Sequence, residues 1–136
     1  MNPYKIQIEF FIREGDRNWK TAVSMFKTKH YDWCLFVGHL TLEKFLKALV
    51  IINTKQPAPY IHNLQDLAKR AGLTPTTARL ANLGEITTFN IEIRYDTDRY
   101  SFYKKCTKAY ARKWLKHINE LRIWLDQELK SRSEHS

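Results

Sequence analysis

The stretch from Asp32 to Ile52, DWCLFVGHLTLEKFLKALVII, constrains the rest of this chain more than any other. It contains no proline, and its single glycine is Gly38. At about 100° per residue, apolar side chains point in almost every direction. Trp33, Val37, Leu40, Ala48 and Ile51 lie on one side, and Leu42, Phe45, Leu46 and Leu49 on the other. A helix that is apolar all round has to be covered by other helices. Asp32 suits its N-cap, where a side-chain oxygen accepts free backbone N–H groups. Two polar features interrupt the surface. His39, Glu43 and Lys47 fall at i, i+4 and i+8 and continue a stripe up from Asp32. On a helix otherwise buried, that stripe is expected to face water, a cleft or a second subunit. Lys44 projects from the most apolar arc, between Leu40 and Ala48. An unpaired internal ammonium is very costly, so Lys44 is expected to meet a buried carboxylate.

The remaining composition narrows the class. A chain of 136 residues, 43% hydrophobic and 27% charged, reads as a single globular domain spanning about 1–130. The polar end KSRSEHS has no apolar anchor, so residues 131–136 are expected to form a disordered tail. The apolar run at 48–52 is too short to span a bilayer, and the N-terminus lacks a signal-peptide pattern. The expectation is a cytoplasmic protein without a membrane partner. Cys34 and Cys106 both sit in apolar helical patterns and read as small core residues. The five histidines, at 30, 39, 62, 117 and 135, are scattered, so neither a metal site nor a cofactor is expected. A net charge of +9 favours an anionic partner such as RNA, a nucleotide or an acidic protein surface.

Taken in order, Ile8, Phe11, Ile12, Gly15, Trp19, Ala22, Val23 and Phe26 keep a three/four spacing, which predicts an amphipathic helix over about 4–28. Gly15 falls on its buried stripe, where the missing side chain lets another helix approach closely. Lys29-His30-Tyr31 is short enough to make the first two helices antiparallel neighbours. Pro57 and Pro59 impose an extended loop after Ile52. Asn63 can cap a short helix, LQDLAKRA, closed by Gly72. Thr74-Pro75 reads as the start of a fourth helix carrying Leu80, Leu83 and Ile86. A last helix is predicted from about Asp98 to Leu129, with Tyr103, Tyr110, Trp114, Ile118, Leu121, Leu125 and Leu129 buried. Its outer face carries Lys104, Lys105, Lys108, Arg112, Lys113 and Lys116 as a basic ridge. FNIEIRY alternates briefly, but a lone strand has no partner. The expected fold is all-α: an up-and-down four-helix bundle with a short helical insertion after the second helix.

Several motifs then fall in a recognisable succession. EKFLKAL at 43–49 is followed across a proline-bearing loop by HNLQDL at 62–67, and FNIEIRYD at 89–96 precedes the last helix. That succession resembles the HEPN domain family, small α-helical domains of prokaryotic toxin–antitoxin and defence systems, over nearly the whole chain. Glu43-Lys44 with Lys47-Ala48 is similar to the family's EKxxKA run. His62 and Leu64 fit its H-x-L entry into the third helix. Arg94-Tyr95-Asp96 resembles the RYPD form of the segment before the last helix, without the proline. Leu40 and Thr41 depart from the glutamine and alanine common before the EK pair.

The resemblance implies one of two activities. One branch of the family consists of metal-independent ribonucleases, with an arginine followed four to six residues later by a histidine, doubled across a homodimer. There histidine exchanges protons with the ribose 2′-OH while arginine holds the phosphate. Here Arg94 is followed at those positions by Arg99 and Tyr100, and the histidine is absent. Arg112 and His117 match the spacing, but an offset of five turns them about 140° apart on a helix. The RYPD branch implies a non-cleaving partner of a minimal nucleotidyltransferase. The reading favoured is therefore a nucleotide- or RNA-binding module, a homodimer working with such a nucleotidyltransferase; the alternative is a ribonuclease toxin. Arg94, Tyr95, Asp96, Arg99, Lys104 and Lys108 are the candidate anion-binding residues. In them arginine pairs a phosphate, tyrosine stacks on a base and the aspartate orients the arginine. The competing structural reading is an Arg94–Asp96 ion pair with Tyr95 in the core. His39, Glu43, Lys44, Lys47 and His62 are assigned structural or interface roles, with His62 a hydrogen-bonding residue at the loop-to-helix junction.

Overall fold

Most of the helices form where the three/four apolar spacing persists. This computed structural model describes residues 3–133. Helix α1 (Lys5–Lys27) packs against α2 (Tyr31–Thr54) across a tight turn in which Lys29 takes a left-handed φ of 65°. The N-cap of α2 is His30, not Asp32, and no side chain caps it. Asp32 instead lies in the first turn, where its charge favours the positive end of the helix dipole.

The central helix is α2. Cys34, Leu35, Leu42, Phe45, Leu46, Ala48, Leu49 and Ile51 are all 0% exposed. Fully burying each large side chain among these contributes about 1.5–3 kcal/mol. Two glycines let its neighbours approach. A Cβ on Gly15 of α1 would lie 2.5 Å from the Phe45 ring, and one on Gly38 would lie 3.0 Å from Ile118 Cδ1.

The short helix α3 (Leu64–Arg70) starts as expected, with Asn63 Oδ1 accepting from the Asp66 N–H at 3.0 Å. It closes on Gly72 at φ 73°, a conformation that suits glycine. Helix α4 (Thr77–Thr87) begins later than Thr74-Pro75 suggests. Thr76 is its cap and accepts from the Arg79 N–H at 3.2 Å, so the proline stays in the connection.

The predicted last helix is two helices. Helix α5 (Asp96–Lys105) ends at Cys106, whose ψ of 68° is not helical, and α6 (Lys108–Ser133) starts afresh. Thr107 caps α6, its hydroxyl accepting from the Tyr110 N–H at 3.2 Å. The bend has an aromatic cause. Buried Phe89 packs on Phe102 of α5 at 5.6 Å and on Tyr110 and Trp114 of α6 at 6.2 and 5.7 Å. A straight helix would not bring all three rings round one centre. Tyr103, expected in the core, is consequently exposed.

The bundle is up-down-up-down through α1, α2, α4 and α6, with α3 as the insertion. Gly38 faces Ile118 near one end of the α2–α6 pair. At the other end Asn53 donates to the Arg70 carbonyl and Arg132 to the Ala71 carbonyl, so α2 and α6 run the same way. Among the described residues there is no strand; Ile91–Ile93 is a single 3-10 turn. Helix α6 continues to Ser133, and Arg132 Nη1 donates to the Ala71 carbonyl at 2.6 Å. Residues 134–136 lie outside the described residues.

Candidate functional site

The segment between α4 and α5 is built from inside outward. Phe89 anchors it, and Asn90 Oδ1 accepts from the Glu92 N–H at 3.1 Å to form the 3-10 turn. Both arginines then turn back onto this segment. Arg94 donates to the Thr88 carbonyl and lies over the Phe102 ring at 5.1 Å. Arg99 Nε donates to the Ile91 carbonyl at 2.9 Å. Among the described residues Arg94 makes no ion pair with Asp96, so the expected Arg94–Asp96 pairing is not present in either its structural or its orienting role. Tyr95 is 83% exposed and does not fill the core. Asp96 and Asp98 occupy the first turn of α5, where they already meet its positive end. That leaves the N–H groups there less free for a phosphate than the sequence suggests.

The rest of α5 presents a different surface. Phe102 is its one buried residue. Tyr100 and Tyr103 point outward with rings 6.3 Å apart and 18° from parallel, and Lys104 Nζ sits 4.9 Å from the Tyr100 centroid. The basic ridge is divided by the bend, with Lys104 and Lys105 on α5 and Lys108, Arg112, Lys113 and Lys116 on α6. Lys105 reaches Glu85 at 3.4 Å, and the same carboxylate oxygen accepts from the Tyr110 hydroxyl at 3.1 Å. Burial, then the Glu85 charge, push the Tyr110 phenol well above its usual range. Lys104 and Lys108 remain exposed.

A second polar cluster lies inside the bundle. The His39–Glu43–Lys47 stripe faces neither water nor a partner, because all three residues are buried within this chain. Glu43 is the hub. Its Oε2 accepts from Lys47 Nζ at 3.4 Å and its Oε1 lies 3.0 Å from His62 Nδ1. His62, whose side chain is 52% exposed, thereby ties the loop before α3 to the middle of α2. His39 Nε2 is 3.7 Å from the same Oε1, and neither of its ring nitrogens reaches hydrogen-bond geometry with a partner. Burial lowers its pKa to about 4, against the opposing pull of Glu43 and the Phe36 backbone, so the ring is neutral at pH 7. Among the described residues Lys44 meets no carboxylate. Its ammonium lies 5.7 Å from the Phe11 centroid, the stem packed along apolar surface and the charge at the rim.

The Arg112–His117 match is dispersed. Arg112 is exposed on the ridge, whereas His117 lies on the Trp114 ring at 5.0 Å with Asn82 at 3.4 Å. Burial pushes the thiols of Cys34 and Cys106 up to about 12, as suits core residues. Among the described residues no group of histidine, cysteine and acidic side chains is arranged to hold a metal ion. No helix there is long and apolar enough to cross a membrane.

Sequence reasoning missed the exposed Tyr100–Tyr103 pair and the convergence of His62 on Glu43. The first had a signal: Thr107 is a good N-cap residue, and a new helix starting there releases Tyr103 from the core face. The second had none, since residues 19 apart carry no shared periodicity.

This bundle and its motifs place the chain among the helical HEPN-like folds. The HEPN domain family model matches residues 8–129, and the chain belongs to that family. Among solved structures it is similar to the protein described as TT1696 from Thermus thermophilus, with a TM-score of 0.74 and 16% identity, over 93% of this chain and 98% of that one. At that identity the likeness speaks for the fold alone. The comparison with curated proteins gave no match.

Proposed function

We propose that this chain is a nucleotide- or RNA-binding HEPN module, the non-cleaving homodimeric partner of a minimal nucleotidyltransferase in a toxin–antitoxin or defence setting. The observation that carries the binding role is the exposure of Tyr95, Tyr100, Tyr103, Lys104 and Lys108, with Tyr100 and Tyr103 near parallel and the Lys104 ammonium 4.9 Å from the Tyr100 centroid. Rings take bases and cations take phosphates. Arg94 and Arg99 shape that surface by holding the 88–91 segment, and each retains N–H donors beyond the one it spends on a carbonyl. The partner role rests on the Arg94-Tyr95-Asp96 resemblance. The dimer is supported by the exposed side chains of Trp33, Phe10 and Ile6, in place of the buried stripe.

Titration with a mononucleotide and a short RNA at two salt concentrations tests the binding role. Binding that weakens steeply with salt is expected, and undetectable binding of both ligands at low salt rejects it. Light scattering should give about twice the 16.3 kDa chain mass; a monomer across a concentration series removes the dimer. Co-purification with a nucleotidyltransferase encoded beside this chain tests the partner.

One observation favours a ribonuclease instead. His62 is half exposed and bonded through Nδ1 to the buried Glu43 carboxylate, which leaves Nε2 as a proton acceptor at the surface. Metal-independent RNA cleavage abolished by His62→Ala, with folding intact, would establish that reading over the first.

A further inference from the structure

We infer that the ligand of the α5 surface is a single-stranded polynucleotide whose successive bases stack on Tyr100 and Tyr103; this rests on the nucleotide-binding reading above. Most amphipathic helices bury a stripe, but α5 buries Phe102 alone and turns its other aromatics to solvent. Tyr100 and Tyr103 are 59% and 60% exposed, their rings 18° from parallel and 6.3 Å apart, and the Lys104 ammonium lies over the Tyr100 ring, so ring and cation are offered to solvent together. Stacking of this kind accepts any base, because every base has a π-face.

Charge sets the direction of the strand. Glu92, Asp96 and Asp98 lie on the N-terminal side of the platform and repel phosphate. Lys104 sits at its edge, and Lys108, Arg112 and Lys116 continue the positive surface along α6. The span from Lys108 to Lys116 is about 12 Å at the helical rise. A mononucleotide could use one ring and one cation, whereas a strand uses the row. A duplex hides its base faces and cannot stack on the rings. A second copy of this chain would bring like cations face to face.

Fluorescence anisotropy with labelled oligouridylate, oligothymidylate and a short duplex, with uridine monophosphate as competitor, tests the inference. Both single strands should bind more tightly than the duplex and at least about tenfold more tightly than the monophosphate. Tyr100→Ala with Tyr103→Ala should weaken the strands at least about tenfold, while the double phenylalanine variant keeps most of the affinity. Lys104→Ala should lower the salt slope by about one phosphate contact. Thermal melting of each variant confirms that these exposed positions leave the fold intact. If the monophosphate binds as well as the strands, the inference fails while the nucleotide reading stands. If nothing binds, both fail. If the double alanine variant binds strands normally but changes oligomeric state, the rings belong to a subunit interface and the inference is overturned.

Discussion

The most exacting test of the internal polar cluster is Glu43→Gln. Side-chain exposure of Glu43 and Lys47 is 4% and 10%, and their charged atoms are 3.4 Å apart. The substitution preserves shape but leaves the Lys47 ammonium, beside neutral His39, without a counter-charge. Breaking one partner of a buried pair costs about 3–5 kcal/mol. Lys47 keeps a path to the rim, so the low end applies, about 3 kcal/mol. For a domain of this size that corresponds to a fall in Tm of roughly 10 °C. His62 adds less, because water can replace its lost acceptor. Replacing both partners, Glu43→Leu with Lys47→Met, should recover most of the loss, since well-packed apolar groups offset a buried pair. Urea unfolding of Glu43→Leu, Lys47→Met and their double variant closes the cycle, with Glu43→Gln measured beside them. Additive effects, or a Glu43→Gln variant within about 0.5 kcal/mol of the parent, would refute the reasoning.

Three further outcomes follow from the same geometry. His39 is protonated at about 4 in the fold against 6.5 in the open chain, so the unfolded state binds the extra proton between those values. Stability should therefore fall as pH drops from 6.5 towards 4, by on the order of 3 kcal/mol in full, and His39→Phe should flatten that slope in urea titrations. Gly15→Ala drives a methyl into the Phe45 ring and should cost about 1–2 kcal/mol after its gain in helix propensity. Gly38→Ala meets only the end of the Ile118 side chain and should be nearly neutral; equal melting shifts for the two would contradict the packing described. Cys34 and Cys106, buried with thiols raised to about 12, should resist a thiol reagent at about pH 8 and react once urea unfolds the chain.

The sequence by itself determined the helical class, the central place of α2 and the close helix approach at Gly15. Periodicity and burial demand are local quantities, and residues such as Ala22, Leu46 and Leu49 carry them in order along the chain. Asn63 and Gly72 were legible for the same reason, because a cap and a left-handed C-terminus act within a single turn. The tertiary structure alone decided the break at Cys106–Thr107. A straight helix satisfies the spacing from Asp98 to Leu129, and only Phe89, arriving from another element, makes bending it worthwhile. It also decided what each candidate side chain does. Arg94 finds the Thr88 carbonyl and the Phe102 face in place of Asp96, and His62 finds Glu43 from a loop. Lys44 swings to Phe11, and Tyr103 turns to solvent. Which polar groups meet depends on distances across the bundle, and a one-dimensional pattern does not contain those distances.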